Sequence, residues 1–289
     1  MDIYNLPHDP CLAGVPAPAD VLIRSYSARR NTVKNKIVLH QNMLNLLVEG
    51  RKTIAQAAGS STVYQDEIVL LAAGHCLTSE VLSDAGEFRS IIVYFSTQVL
   101  EDFYRQHAPQ LGQRHPAAAQ PLVTFAKDGF IRHYIDSLSL LLQAPTALSP
   151  ALQRLKLEEL LLYLLHTAPA SLLAFQLDSR LARPELGLRS VVEAHVNRLI
   201  TVEELAFLCH MSVSTFQRRF AEIYGQSPHQ WLLKQRMQRA AHLLRQPQQL
   251  AGEVYQQVGY ESYSSFAEAF KKTFGLSPRA FQQQMPGAE

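Results

Sequence analysis

Ser214-Thr215-Phe216-Gln217-Arg218-Arg219-Phe220-Ala221-Glu222-Ile223-Tyr224-Gly225-Gln226-Ser227-Pro228-His229-Gln230-Trp231 returns fifty residues later as Ser264-Ser265-Phe266-Ala267-Glu268-Ala269-Phe270-Lys271-Lys272-Thr273-Phe274-Gly275-Leu276-Ser277-Pro278-Arg279-Ala280-Phe281. Aromatics four apart lie on one face of a helix. Gly225 and Gly275 then stop that helix in the left-handed cap conformation. The Ser-Pro pairs open the next helix, with Trp231 and Phe281 just inside it. Each copy is preceded by a short helix and a tight turn. Val202-Glu203-Glu204-Leu205-Ala206 leads to Cys209-His210-Met211, with Ser212 as cap, and Gly252-Glu253-Val254-Tyr255 leads to Val258-Gly259-Tyr260, with Ser262 as cap. The second turn is one residue longer, so the preceding helices are offset by 49 residues. The pattern predicts an all-α region with two helix-turn-helix units.

At 100° per residue, Phe216, Phe220, Ile223 and Tyr224 share one side of the first long helix. Ser214, Arg218, Ala221 and Glu222 lie opposite, with Thr215 and Gln217 on the flanks. The same face of the second helix carries Ser264, Glu268, Lys271 and Lys272. A single polar helix face is ordinarily just solvated. Two copies with matched turns point to the major groove of DNA, where Arg pairs with guanine and Gln with adenine. Phosphate contacts are expected from Arg219, Arg236, Lys271 and Lys272. Pro228 to Arg245 reads as one helix of ~27 Å. Successive major grooves on one side of a duplex recur about every 34 Å, so the two readers would sit near one turn apart. Trp231, by its match to Phe281, is assigned to the core.

Further upstream the period changes. Residues 1–20 read as a loose arm. Val21 to Phe95 carries short apolar runs at Ile37–Leu39, Met43–Val48, Glu67–Leu71, Glu80–Leu82 and Ser90–Phe95. Turn signals stand at Glu49-Gly50, Gly59-Ser60-Ser61, Ala73-Gly74 and Asp84-Ala85-Gly86. This spacing predicts a small antiparallel β-barrel or sandwich. Ser96 caps a helix to about His107, and Pro121 to Gln143 has helical spacing. Ser149-Pro150 opens a helix through Leu165 whose wide apolar stripe fits either a core alone or a core plus a partner helix. The fold class is α+β: a β-barrel followed by helices over 21–180, then the helix-turn-helix region over 186–289, with the boundary near Pro184 and Gly187.

The 289 residues suit two domains, and 47% apolar content supplies real cores. A net charge of +2 excludes a histone-like or strongly acidic tail. From Leu186 onward 11 basic residues meet 8 acidic ones, against 16 and 17 in the rest, so the basic surface lies at the C-terminal end. Cys11, Cys76 and Cys209 are far apart, which fits a reducing, cytoplasmic setting. No signal peptide or membrane span is read. His40 and His75 lack the clustered His and carboxylate partners of a metal site. His75-Cys76 would point to opposite strand faces, and Cys209 reads as a small core residue. His107 and His115 are assigned to solvent. No catalytic residue, metal or cofactor is expected, so the chain reads as no enzyme.

The C-terminal residues resemble the AraC/XylS family of bacterial transcription regulators over about Ser190 to Gln282. The likeness rests on the paired units, the Arg236-Met-x-x-Ala240-x-x-Leu243-Leu244 linker and the closing block from Val258-Gly259-Tyr260 to Phe281. It implies base reading by Ser214, Thr215, Gln217 and Arg218 in the first unit, and by Tyr263, Ser264, Ser265 and Glu268 in the second. Two positions depart from the family pattern. Tyr255 replaces a small residue, and Glu268 stands where a basic or polar reader is common. The N-terminal half resembles the family's cupin-like sensor half more weakly, and Lys156–Leu162 resembles a helix found at dimer interfaces. The resemblance implies an activator that binds double-stranded DNA as a homodimer and contacts RNA polymerase. Its control would come from a small ligand or, as in regulators of type III secretion genes, a protein partner. The alternatives are a constitutive DNA binder whose N-terminal half only dimerises, and a cupin-type enzyme targeted to DNA.

Overall fold

The computed structural model describes residues 3–7, 20–111, 120–175, 184–246 and 249–283. The chain divides into two compact units, Met1–Arg183 and Pro184–Glu289. Cys11 and His115 lie outside the described residues.

Ten strands are described in the first unit: β1 (Ile3–Leu6), β2 (Val21–Ala28), β3 (Thr32–Leu39), β4 (Asn42–Glu49), β5 (Arg51–Gln56), β6 (Gly59–Val63), β7 (Glu67–Leu71), β8 (Gly74–Val81), β9 (Phe88–Phe95) and β10 (Leu122–Ala126). They form two five-stranded sheets, ordered β1-β3-β8-β5-β6 and β10-β7-β4-β9-β2. Of the two expected forms, barrel or sandwich, the strands take the second: two separate sheets, each with its own edges. Apolar side chains between them make one core, in which Ile37, Ile54 and Cys76 meet Met43, Val69 and Ile92. The other face of the second sheet, with Leu44, Leu46, Ile68 and Val93, packs on helices. The apolar runs in β4, β7 and β9, interrupted in β4 by the buried Asn45, follow from this. Strands covered on both faces have no solvent side to alternate with.

Four helices are described in the first unit: α1 (Thr97–Leu111), between β9 and β10, and after β10 α2 (Gly129–Gln143), α3 (Pro150–Thr167) and α4 (Pro169–Ala174). The Ser96 hydroxyl accepts the Val99 N–H at 3.3 Å and Asp128 accepts that of Ile131 at 3.0 Å. Ser149 caps α3 through the Leu152 N–H, with Pro150 in the first turn. On α3, Leu157, Leu160, Leu161 and Leu164 are buried, while Leu155 is 60% and Leu162 39% exposed. The α3 residue Gln153 accepts the Ile23 N–H at 2.8 Å and so occupies a donor on edge strand β2.

Four expectations are corrected. Ile3–Leu6, read as part of a loose arm, pairs in parallel with β3. Gly59-Ser60-Ser61, read as a turn, lies in β6, and the turn falls at Ala57-Ala58. The helix read from Pro121 begins only at Gly129, because Leu122–Ala126 pairs antiparallel with β7. The α1 residue His107 is also not simply solvated: its ring is half-buried, 4.7 Å from that of Phe103.

The second unit contains α5 (Pro184–His195), α6 (Val202–Leu208), α7 (Val213–Tyr224), α8 (Pro228–Leu244), α9 (Ala251–Gln257), α10 (Tyr263–Phe274) and α11 (Pro278–Gln283). Among the described residues no helix is long and apolar enough to cross a membrane.

Candidate nucleic-acid interface

The turns of the two copies are built alike down to single hydrogen bonds, whereas the helices before them start differently, α9 on Leu250 without a side-chain cap. Thr201 opens α6 with a capping box, exchanging bonds with Glu204. At the end of α6 the Met211 N–H reaches Ala206 O and the His210 N–H reaches Phe207 O, at 2.9 and 3.0 Å. At the end of α9 the Tyr260 N–H reaches Tyr255 O and the Gly259 N–H reaches Gln256 O at the same distances. Both turns are Schellman caps, which need a left-handed residue at their centre. Gly259 supplies it at φ +79°, and His210 does so at φ +56°.

The longer helices begin on Ser212 and Ser262, whose hydroxyls accept the Thr215 and Ser265 N–H groups at 3.2 and 3.3 Å. They end on Gly225 and Gly275, at φ +68° and +78°. Phe216, Phe220, Phe266 and Phe270 are fully buried, with the ring pairs 5.6 and 5.7 Å apart. Trp231 stands 5.7 Å from Phe220 and 5.4 Å from Tyr224, and Phe281 stands 5.4 Å from Phe270 and 5.6 Å from Phe274. The repeat therefore supplies each lobe with an aromatic trio, and Trp231 belongs to it. Burial pushes the Cys209 thiol up to about 12.

Burial of the inner faces fixes what remains outside. Ser214, Arg218, Ala221 and Glu222 are exposed on α7, and Thr215, Gln217 and Arg219 are half-buried. On α10, Tyr263, Ser264, Ser265, Glu268, Lys271 and Lys272 are exposed. Arg236 on α8 is half-buried. The Ser212 hydroxyl donates to Thr215 Oγ1 at 2.8 Å, which leaves the Thr215 O–H as the group able to reach outward. Tyr255 is accommodated half-buried, with its ring edge-on to Tyr263 at 6.2 Å.

One helix serves both lobes. The first turn of α8 carries Trp231, while Met237, Ala240, Ala241 and Leu244 belong to the core around Phe266 and Phe270. At 17 residues α8 is about 26 Å long. Two contacts beside it had no local signal in the sequence. The Arg239 guanidinium donates to Asn197 O. Leu199 packs so closely on the second turn that a Cβ at Gly259 would lie 2.6 Å from its Cδ2. These pairs are separated by 40 residues or more, beyond the reach of periodicity or capping rules.

Comparison with known proteins follows the same division. Residues 205–284 match the family described as a helix-turn-helix domain, and residues 42–175 match the ExsA N-terminal regulatory domain. The chain belongs to the AraC/XylS family. Among AraC/XylS relatives, the probable transcriptional regulator LumQ of Photobacterium leiognathi is 34% identical over 91 residues, 32% of this chain and 37% of LumQ. The virulence regulon transcriptional activator VirF of Yersinia enterocolitica is 24% identical over 253 residues, 84% of this chain and 90% of VirF. A solved structure of ToxT from Vibrio cholerae aligns with 93% of this chain and 100% of its own, at 13% identity and a TM-score of 0.39. The chain thus spans little more than a third of LumQ but most of VirF.

Among the described residues no three His, Cys, Asp or Glu side chains are grouped to hold a metal ion. Cys76 is buried, its thiol pushed up to about 12 by desolvation, and His75 is half-buried beside it on β8.

Proposed function

We propose that the protein is a sequence-specific DNA-binding transcription activator, reading DNA with residues 186–289 and controlled through residues 21–180. The observation that carries this reading is the fifty-residue recurrence of the capped, aromatic-backed helices α7 and α10, each with its polar ridge in solvent. In the first helix-turn-helix Ser214, Thr215, Gln217 and Arg218 face base edges, with Arg218 suited to guanine and Gln217 to adenine. In the second, Tyr263, Ser264, Ser265 and Glu268 occupy the corresponding positions. Glu268 repels phosphate but accepts from cytosine N4, so this helix contributes positioning as well as reading. Arg219, Arg236, Lys271 and Lys272 anchor the backbone, a term that weakens with salt.

The exposed leucines Leu155 and Leu162, seven residues apart on α3, support a homodimer through that helix. Dimerisation, contact with RNA polymerase and response to a small ligand or protein partner complete the proposal for a cytoplasmic regulator. The likeness to the activator VirF over most of both chains supports activation rather than repression. The coupling required is a differential affinity of the effector for two states of the chain.

The test is Arg218→Ala in the full chain, with affinity measured on a selected operator and on random DNA at fixed salt. Loss of about 1–3 kcal/mol on the operator, with little change on random DNA, is expected. Equal losses on both would remove Arg218 from the base readers.

A further inference from the structure

Charge is unevenly placed in the first unit. Residues 21–48 hold Arg24, Arg29, Arg30, Lys34 and Lys36 and no Asp or Glu. Much of this charge reaches one surface. The helices pack on the second sheet and leave the outer face of the first, β1-β3-β8-β5-β6, outside that core. Neighbouring residues of a strand point to opposite faces. Ile37, Ile54 and Cys76 turn inward, so Lys36, Thr53 and Leu77 turn outward, as does Arg51 two residues before Thr53. The β3 register shifts between Thr32 and Asn35, which sets Val33 and Lys34 together opposite Ser79.

No acid answers these cations on the face. Glu80 is the only Asp or Glu in the five strands, and it points inward to Lys52 at 2.8 Å. At the adjoining end Glu49 and Glu87 are both taken by Arg89, at 2.7 and 3.5 Å, and Asp84 lies in the exposed turn between β8 and β9. What remains is a cationic, hydroxyl-bearing plate. Lys36 and Arg51 stand among Thr53, Thr62 and Ser79, with Lys34 at the bulge. Arg29 and Arg30, both exposed, extend it at the corner where the chain crosses from β2 to β3. Three hydrogen bonds pin this corner beside β8. Asn31 Oδ1 accepts the Leu82 N–H at 2.9 Å, Thr32 Oγ1 accepts the Glu80 N–H at 3.1 Å, and the Lys34 N–H donates to Ser79 Oγ at 2.9 Å. Groups held in place beforehand lose less freedom when they bind.

We propose that this face, with the Arg29-Arg30 corner, docks on the sugar-phosphate backbone of duplex DNA without regard to sequence. Its residue types are those that bond phosphate oxygens: Arg, Lys, Ser and Thr. A protein partner would be held by aromatic or apolar anchors. Leu77 is 3% exposed and cannot serve as one, and the large apolar side chains left in solvent here are Val33 and Ile3. The eight residues of β3 span about 26 Å, a length over which a duplex carries about fifteen phosphate charges. The proposal rests on reading the protein as a DNA binder. Residues 186–289 bring the duplex, and their covalent link to the first unit raises the phosphate concentration that this face meets.

The experiment measures the affinity of the full chain for a selected operator and for a random duplex of equal length, by fluorescence anisotropy over a series of salt concentrations. In an Arg29→Gln, Arg30→Gln, Arg51→Gln triple variant the slope of log K against log salt should become shallower by about 3, near one per lost phosphate contact. The change should be equal on both duplexes, so operator preference is kept. Lysine at the same three positions should restore the slope. A control variant, Arg105→Gln, Arg132→Gln, Arg154→Gln, removes the same charge from α1, α2 and α3 and should leave the slope as it was. An unchanged slope in the first variant, as docking on an acidic protein would give, overturns the proposal. So does an equal drop in the control, which would reflect net charge alone. Operator preference that survives with an unchanged slope would sink this surface and spare the regulator reading. The expected drop on duplexes bound without sequence preference would sink the regulator reading and leave the surface standing.

Discussion

Replacing Glu80 by Gln should be among the most damaging single changes in the first unit. The two side chains are cross-strand partners on β5 and β8, with Lys52 opposite Glu80. Their N–O separation is 2.8 Å, and each is 5% exposed. The ammonium also lies 5.9 Å from the Tyr26 ring centroid and 5.7 Å from that of Phe88. Glutamine keeps the shape and can still accept from Tyr26, but it removes the negative charge bonded to Lys52. A buried charge left uncompensated costs about 3–5 kcal/mol, whereas replacing both partners by apolar groups is often neutral. The expected outcomes are therefore about 3–5 kcal/mol lost in Glu80→Gln and most of that loss restored in a Lys52→Met, Glu80→Leu double variant. Urea unfolding followed by circular dichroism measures the effect. At a slope near 2 kcal/mol per molar, the midpoint of the first unit falls by roughly 2 M. Trp231, the single tryptophan, packs in the second unit and reports that unit separately. A loss below about 1 kcal/mol, the range of exposed pairs, would refute the view that this pair is shut away from water.

Two other outcomes are expected. His210→Gly should stabilise the first lobe by about 0.5–1 kcal/mol. The left-handed penalty of about 1–2 kcal/mol is relieved and part of it is returned as glycine's extra unfolded-state entropy; a lowered Trp231 fluorescence midpoint would contradict this. The Cys76 and Cys209 thiols, both pushed up to about 12 by burial, should resist a thiol reagent at pH 8. Their thiolate fraction is about a thousandfold below that of a free cysteine. The unfolded chain loses these protons from about pH 9 upward while the native chain keeps them, so stability should fall as pH rises through that range. Labelling in a Cys11→Ser background checks the first point, and rapid modification of either residue in the folded protein would defeat it.

The second unit was legible because its rules are local. Ser caps, Gly stops and Ser-Pro starts each act within one turn of helix, and the repeat states them twice. Even the one-residue difference between the turns is reproduced, with His210 standing where Gly259 stands in the second copy. In the first unit the decisive forces are not local. Leu122, Phe125 and Ala126 sit at helical spacing, yet pairing with β7 makes them a strand. Ile3–Leu6 carries no pattern of its own and is organised by β3, more than thirty residues away. A cavity between the two sheets follows the same logic. Tyr26, Lys52, Glu80 and Tyr94 come from four strands, and no spacing in the chain announces that they meet. The polar ridges of α7 and α10 could be read from periodicity, whereas the brace formed by Leu199 on Gly259 could not.

The central claim is that α7 and α10 read one side of a duplex, held apart by α8. Hydroxyl-radical footprinting of the full chain on DNA selected from random sequence tests it most directly. Two protected windows about 10 base pairs apart on the same face are predicted, with Arg218→Ala weakening one of them. A single window, or two windows half a helical turn out of phase, would contradict the account.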